Sequence, residues 1–163
     1  MMSVLRSWFV YLWVIAKHKW FVLIAGWRMG VPFWRLIIHD LSKYSPVEFF
    51  AYARRFYGAA DRLEEFDRAW IHHQNHNPHH WQYWIDRSGD EYSPAEMPLV
   101  FVREMIADWL AAGRAYEGEW PDVNDWTWWE KNKDRIEVRL HGDTLVVVLY
   151  QIHRLQQKAG KDA

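Results

Sequence analysis

The residues with the most chemistry in this sequence are its histidines and two aspartates in apolar surroundings. Seven of the nine histidines precede residue 81, as His18, as His39 beside Asp40, and as the cluster His72, His73, His76, His79 and His80. Asp40 closes an apolar helical run, and Asp108 sits between Ala107 and Trp109 in a stretch whose neighbours pack. A buried aspartate is costly unless it is paired or bound to a cation, so each of the two needs a partner. Imidazoles and carboxylates without sulfur suit manganese, iron, cobalt, nickel or zinc rather than calcium, and an aspartate beside a histidine is a natural bridge between two ions. The expected cofactor is therefore a divalent transition metal, one or two ions. Lys43, three residues past Asp40, is a cation that could meet an anionic substrate or simply be solvated.

Each of these residues has a plainer reading. A single helical histidine is more often a hydrogen-bonded packing residue than a ligand. Adjacent histidines point about 100° apart on a helix, so one member of His72-His73 is expected to reach a given ion. His141 and His153 read as surface or packing residues, and Glu104 as a helix-face charge paired with a nearby arginine. What raises the metal reading is the ordered conjunction of His, His-Asp, a histidine cluster and Asp, all on expected helices.

The elements that must position these residues read as helical throughout. Val4 to Ala25 is mostly apolar but interrupted by Lys17-His18-Lys19; a membrane span wants roughly 20 apolar residues without such a break. A long buried helix presenting His18 inward is expected, and a membrane is not the expected partner. Pro32 can start a second helix leading to His39-Asp40. Ser45-Pro46-Val47-Glu48 has the form of a capping box opening a third, from Pro46 to Tyr57. A fourth is expected from Asp61 to Gln74, and Pro78 can start a short helix bearing His79, His80, Trp81 and Trp84. The polar stretch from Asp86 to Glu96 reads as a loop, with residues 87–96 a candidate lid. Pro98 opens an amphipathic helix to Ala112 on which Glu104 and Asp108 share a face, a Trp-rich helix spans Trp120 to Asn132, and a last one runs from Leu145 to Gln157. Ile136 to Leu140 alternates like a short strand, with nothing evident to pair with. The expectation is an all-α, single-domain helical bundle over residues 1–157 with the metal site between helices, followed by a disordered tail at 158–163.

Composition narrows the partners. Lysine plus arginine against aspartate plus glutamate is 20 against 21, so no global positive field favours extended nucleic-acid binding. With no cysteine, disulfides and thiolate chemistry are excluded, and a reducing, cytoplasmic setting is compatible. Most of the thirteen tryptophans are expected in the core.

The series His18, His39-Asp40, His73 with His79 or His80, and Asp108 resembles the ligand order of the HD-domain superfamily of all-helical, metal-dependent phosphohydrolases; His39-Asp40-Leu41-Ser42-Lys43 matches the HD-x-x-K form of some of its branches. More closely, His39 to Phe49, Ala69 to Trp84 and Val102 to Tyr116 resemble a family of short uncharacterised phage and bacterial proteins, through the pattern His-His-Gln-Asn-x-Asn-Pro-His-His-Trp. The wider resemblance implies His18, His39, Asp40 and Asp108 as the basic metal set, Asp40 as the bridge, and His73 with His79 or His80 around a second ion. It puts a phosphate-binding lysine at Lys43. The Gly-Tyr-Pro signature of the cyclic-dinucleotide branch is absent after His72-His73-Gln74, so that substrate is not implied.

The function expected on these grounds is hydrolysis of a nucleotide or other small phosphate ester by a metal-activated water, with Asp40 and Lys43 at the chemistry. Arg103 and Arg114 are candidate phosphate contacts and Trp81, Tyr83 and Trp84 candidate stacking surfaces, by their closeness in sequence to the motifs. Two alternatives stand beside it: a diiron oxygenase using the same ligands, and a non-catalytic helical protein that binds a membrane or partner through Trp8, Trp13, Trp20 and Trp27. A homo-oligomer is compatible with all three.

Overall fold

The apolar spacing of the first helix sets the layout. In the computed structural model, which describes residues 4–58, 63–86, 88 and 92–160, α1 runs Val4–Arg28 without interruption through Lys17-His18-Lys19. Tyr11, Ile15, His18, Val22 and Ala25 recur at helical spacing on its one buried face. His18 is presented inward as expected, but the helix is buried on that face alone; Lys17 and Lys19 leave sideways, the latter to cap a neighbouring turn.

Around this face the described residues form an all-α single-domain bundle. The short α2 (Phe33–Ile38) follows Pro32, and its fully buried Leu36 lies so close to Gly26 that any Cβ there would strike it. A 3-10 turn at Leu41–Tyr44 leads to α3 (Pro46–Tyr57), then α4 (Leu63–His76), which packs on α3. A second 3-10 turn (Trp81–Trp84) leads into the hairpin strands β1 (Ile85–Asp86) and β2 (Ser93–Pro94), paired antiparallel. The long α5 (Leu99–Glu117) packs along α1, and α7 (Gly142–Ala159) on α5, with α6 (Thr127–Glu137) between them in sequence.

Several expectations are corrected here. Pro78 opens a turn rather than a helix, because Asn77 and His80 close a tight hydrogen bond between them, Asn77 O accepting from His80 N at 3.0 Å. The Trp-rich helix begins at Thr127, and Ile136 to Leu140 is its end and a turn, with Ile136 and Leu140 buried and Val138 exposed. The last helix starts earlier, at Gly142, and runs through Lys158 to Ala159, inside the expected tail; 161–163 lie outside the described residues. Part of the expected lid becomes the hairpin, and residues 87 and 89–91 lie outside the described ones, as do Asp61 and Arg62 at the expected start of the fourth helix.

The apolar core is not continuous. One cluster lies between α5, α6 and α7 around Ile106, Trp129 and Val148; a second joins α1, α3 and α4 around Ile15, Tyr52 and Ala69; a third ties Val22 to Leu36. Into the seam between them project the polar side chains of the candidate site.

Candidate metal centre

Five separate segments feed this seam. His18 comes from the buried face of α1, His39 and Asp40 from the turn after α2, His73 from α4, His79 and His80 from the turn after α4, and Asp108 from α5. The His39-Asp40 turn depends on a rare backbone: Asp40 has φ 56° and ψ 22°, the one positive φ among the described non-glycine residues. A left-handed aspartate costs on the order of 1 kcal/mol or more, and here it lets two consecutive side chains converge, with His39 Nε2 3.5 Å from Asp40 Oδ2. Lys19 of α1 holds the turn in place, its Nζ donating to Ile37 O at 2.6 Å and His39 O at 2.7 Å.

Asp40 is the hub. Its Oδ2 faces His39 and, at 3.8 Å, His18 Nε2; its Oδ1 faces His79 Nε2 at 3.3 Å and His73 Nε2 at 3.5 Å. Asp108 Oδ1 lies 2.8 Å from His18 Nε2 and 3.5 Å from His39 Nε2, while His73 Nε2 and His80 Nε2 are 2.8 Å apart. Two groups therefore have ligand atoms close enough to share an ion: His18, His39, Asp40 and Asp108, and Asp40, His73, His79 and His80. The donor chemistry fits a cation. His18 Nδ1, His39 Nε2, His79 Nε2 and Asp40 Oδ1 are buried and make no well-aligned hydrogen bond within the described protein, an expensive arrangement that a cation among them removes.

The far sides of the rings are anchored. Glu104, fully buried on α5, accepts from His39 Nδ1 at 3.0 Å and from Arg35 Nε at 2.7 Å, and lies 3.5 Å from His79 Nδ1. Glu48, fully buried on α3, does the same for α4, accepting from His73 Nδ1 at 2.9 Å, from His72 Nδ1 at 2.7 Å and from the Ser42 hydroxyl at 3.1 Å. Asn77 completes this support by donating to Ser42 Oγ and to His73 O. Glu104, His39 and His79 also lie close enough together to share an ion, but the Nδ1 atoms that face Glu104 are the ones turned away from Asp40, so Glu104 orients the two rings. Neither glutamate has the role expected from sequence. Glu104 pairs with an arginine distant in the chain and buried, and Glu48 sends its carboxylate inward, although its backbone N–H does meet Ser45 Oγ as a capping box requires.

The cluster keeps its carboxylates charged. Burial raises the cost of ionising Asp40 and Asp108, yet the surrounding imidazoles, and Lys43 beside Asp40, hold both well below the usual carboxylate range. Burial opposes the charge on His39, but Asp40, Asp108 and Glu104 outweigh it and push the imidazole up to about 9. His79 and His80 are pushed down by burial and by their neighbours' charge, leaving neutral rings with free lone pairs. Lys43 Nζ lies 2.5 Å from Asp40 Oδ2, and Asp40 and Asp108 hold its proton more firmly than usual despite its burial.

Lys43 also stands on the wall of a cavity of about 580 Å³ that His18, His73, His80 and Asp108 border at one end. The remainder of that wall is apolar and mostly aromatic, with Tyr11, Tyr52, Phe66, Trp70 and Tyr116 prominent beside Val14, Ile15 and Ala112. The other residues singled out from sequence lie elsewhere. Arg103 lines a separate surface pocket with Arg28, Arg154 and Lys158, and Arg114 stacks over Phe21 at 5.2 Å. Trp81 packs against the α5–α7 core under Arg139, and Trp84 donates to Pro78 O at 2.7 Å and packs on Phe101. Of the paired histidines, His73 faces Asp40 and His72 reaches Glu48 instead, whereas both His79 and His80 join the cluster.

The whole histidine–carboxylate cluster, from His18 to Asp108, falls inside a stretch, 8–154, matched by one family model. The chain belongs to DUF5662, a family of unknown function. No curated protein and no solved structure matches it. The buried His and carboxylate groups of this DUF5662 protein could hold a metal ion, and that is the chemical property its fold presents most clearly.

Proposed function

We propose that this DUF5662 protein is a metal-dependent hydrolase of a small phosphate ester, with an HD-type ligand arrangement. The observation that carries the reading is the division of Asp40 between two ligand groups, Oδ2 toward His18, His39 and Asp108 and Oδ1 toward His73 and His79. This supports two ions sharing one carboxylate, the arrangement suited to in-line attack on phosphorus. The metal would supply an acidified water and charge to offset that developing on the phosphoryl oxygens. Glu104 and Glu48 keep the imidazoles aimed. Lys43, whose flexible stem ends beside Asp40 Oδ2 and on the cavity wall, would turn its ammonium to donate to a phosphoryl oxygen when a cation satisfies Asp40.

The cavity favours a substrate with an organic group of about nucleoside size, since binding pockets commonly measure roughly 300–1,000 Å³. The rings of Trp70 and Tyr116 would then take the stacking role assigned from sequence to Trp81 and Trp84. The test is a panel of nucleotides and aryl phosphates, assayed with added manganese, cobalt, nickel, iron or zinc, against the wild type, Asp40→Ala and Asp108→Ala. Phosphate release that depends on metal and falls to background in both variants supports the proposal; release that survives both substitutions excludes this site.

One feature favours a second reading. A mostly aromatic, apolar wall with Lys43 as its one lysine or arginine among the described residues also suits oxidation of an anionic organic molecule at a diiron centre. Oxygen consumption by the iron-loaded protein, together with a mixed-valence diiron signal and no phosphate release, would establish that alternative.

A further inference from the structure

The outer face of α1 carries a feature that the metal centre does not use. At 100° per residue Phe9, Trp13, Trp20 and Trp27 fall within an arc of about 40°, opposite the face that carries His18, and extend over about 27 Å. They are 60–71 % exposed. Trp27 meets Phe33 of α2 edge-on, with ring centroids 6.3 Å apart, and the exposed Trp34 follows, so the aromatic surface continues onto the second helix. Three tryptophans exposed to this degree, each with roughly 150–250 Å² to offer, present on the order of 300–450 Å² by themselves. That is already in the range of the largest apolar patch of an ordinary monomer, about 300–600 Å², before the phenylalanines are added.

The flanks of the stripe are basic. Arg6, Lys17 and Arg28 lie about 40–80° to one side of its centre, and Lys19, whose ammonium also holds the turn after α2, about 100° to the other; no acidic residue occurs from residue 4 to residue 39. Arg28 also joins Arg103, Arg154 and Lys158 around the pocket next to the end of α1, again with no acidic residue in its lining.

We infer that this face docks the protein onto an anionic lipid bilayer, with α1 lying in the interface. Tryptophan is the residue best suited to the headgroup boundary, and an apolar stripe with cationic borders is the pattern of helices that lie on membranes. The helix is long and apolar enough by length and composition to cross a bilayer, but its inner face packs on α3 and α5 and delivers His18 to the cluster, so it lies on the surface rather than spanning it. A second copy of the chain is the poorer occupant. Two such faces pressed together bring cation against cation, with no carboxylate on α1 or α2 to separate them.

The experiment is co-sedimentation of the full chain with vesicles of phosphatidylcholine alone and of phosphatidylcholine mixed with phosphatidylglycerol, at low and high salt. Pelleting with the mixed vesicles, weakened by salt, is expected. The double variant Trp13→Ser, Trp20→Ser touches no ligand and should partition on the order of 100-fold more weakly, for lipid burial of about half the area the two tryptophans expose, while keeping its melting curve. Arg28→Gln should weaken binding to the anionic vesicles further. A chain that stays in the supernatant with anionic vesicles overturns the inference. So does a concentration-dependent dimer in sedimentation velocity that the same double variant abolishes, since the face would then belong to a second copy.

Discussion

Glu104 and Glu48 determine whether the histidines are usable ligands. Each accepts from an imidazole Nδ1, which fixes the tautomer and leaves Nε2 free toward Asp40. Glu104→Gln keeps the volume but removes the charge that His39 and Arg35 share, so metal affinity measured by competition with a chelator should fall about 10–100-fold while the fold survives. The proton on His39 gives a second prediction. Its folded value of about 9 lies above the ordinary 6.5, so its contribution to stability is complete below about 6.5 and is lost as the pH rises through about 9. His79 and His80 are shifted the other way, and their effect falls below about 6.5, where the unfolded chain takes up protons that the fold refuses. Metal-free protein should therefore melt at a lower temperature at pH 9 than at pH 7. Metal-saturated protein should show the opposite slope, because ions bind the deprotonated ring. Scanning calorimetry across that interval checks the sign. Glu104 was partly legible in the sequence, one turn before Asp108 on the same helical face; Glu48 was hidden by a capping position that explained it fully.

The helices were readable because apolar spacing, prolines and caps are local signals, and α1, α3, α5 and α7 all follow them. Turns were less so. The segment after Pro78 fails as a helix because Asn77 and His80 close their own turn, and the convergence at Asp40 rests on a left-handed backbone that no residue type in His-Asp-Leu demands. Arg103, Arg114, Trp81 and Trp84 are near the motifs in sequence, whereas nearness in space follows helix phase: Arg103 is beside Glu104 in the chain yet leaves α5 about 100° round from it, toward a different pocket. The aromatic wall comes from four helices and has no signature in any one of them. At this scale the close approach of α2 to α1 is decisive, since it carries the His39-Asp40 turn. Leu36→Ala removes a fully buried side chain at that contact and should cost about 2–5 kcal/mol of stability, read from denaturant unfolding, with a loss of metal affinity although no ligand is touched.

For the whole molecule, the cluster is a liability until a cation joins it. Buried carboxylates, a buried arginine and imidazoles with unsatisfied nitrogens divide the core where apolar packing would otherwise be continuous. Saturation with the correct ion at about 100 times its dissociation constant contributes about 2.7 kcal/mol, which for a chain of this size should raise the melting temperature by roughly 5–11 °C. Asp40→Ala should abolish that shift.

The ligands have a further consequence because of where they stand in the chain. They are spread along the chain from His18 to Asp108, so an ion held by them is a cross-link in a protein with no cysteine to make one. The loops it closes are long, and closing long loops removes the most freedom from the unfolded chain. Such a clamp has a kinetic signature as well as an energetic one. The chain cannot open at α1 or α5 without first releasing the ion, so limited proteolysis should cut the loaded protein at a rate set by metal dissociation, and a chelator should convert slow cleavage into fast.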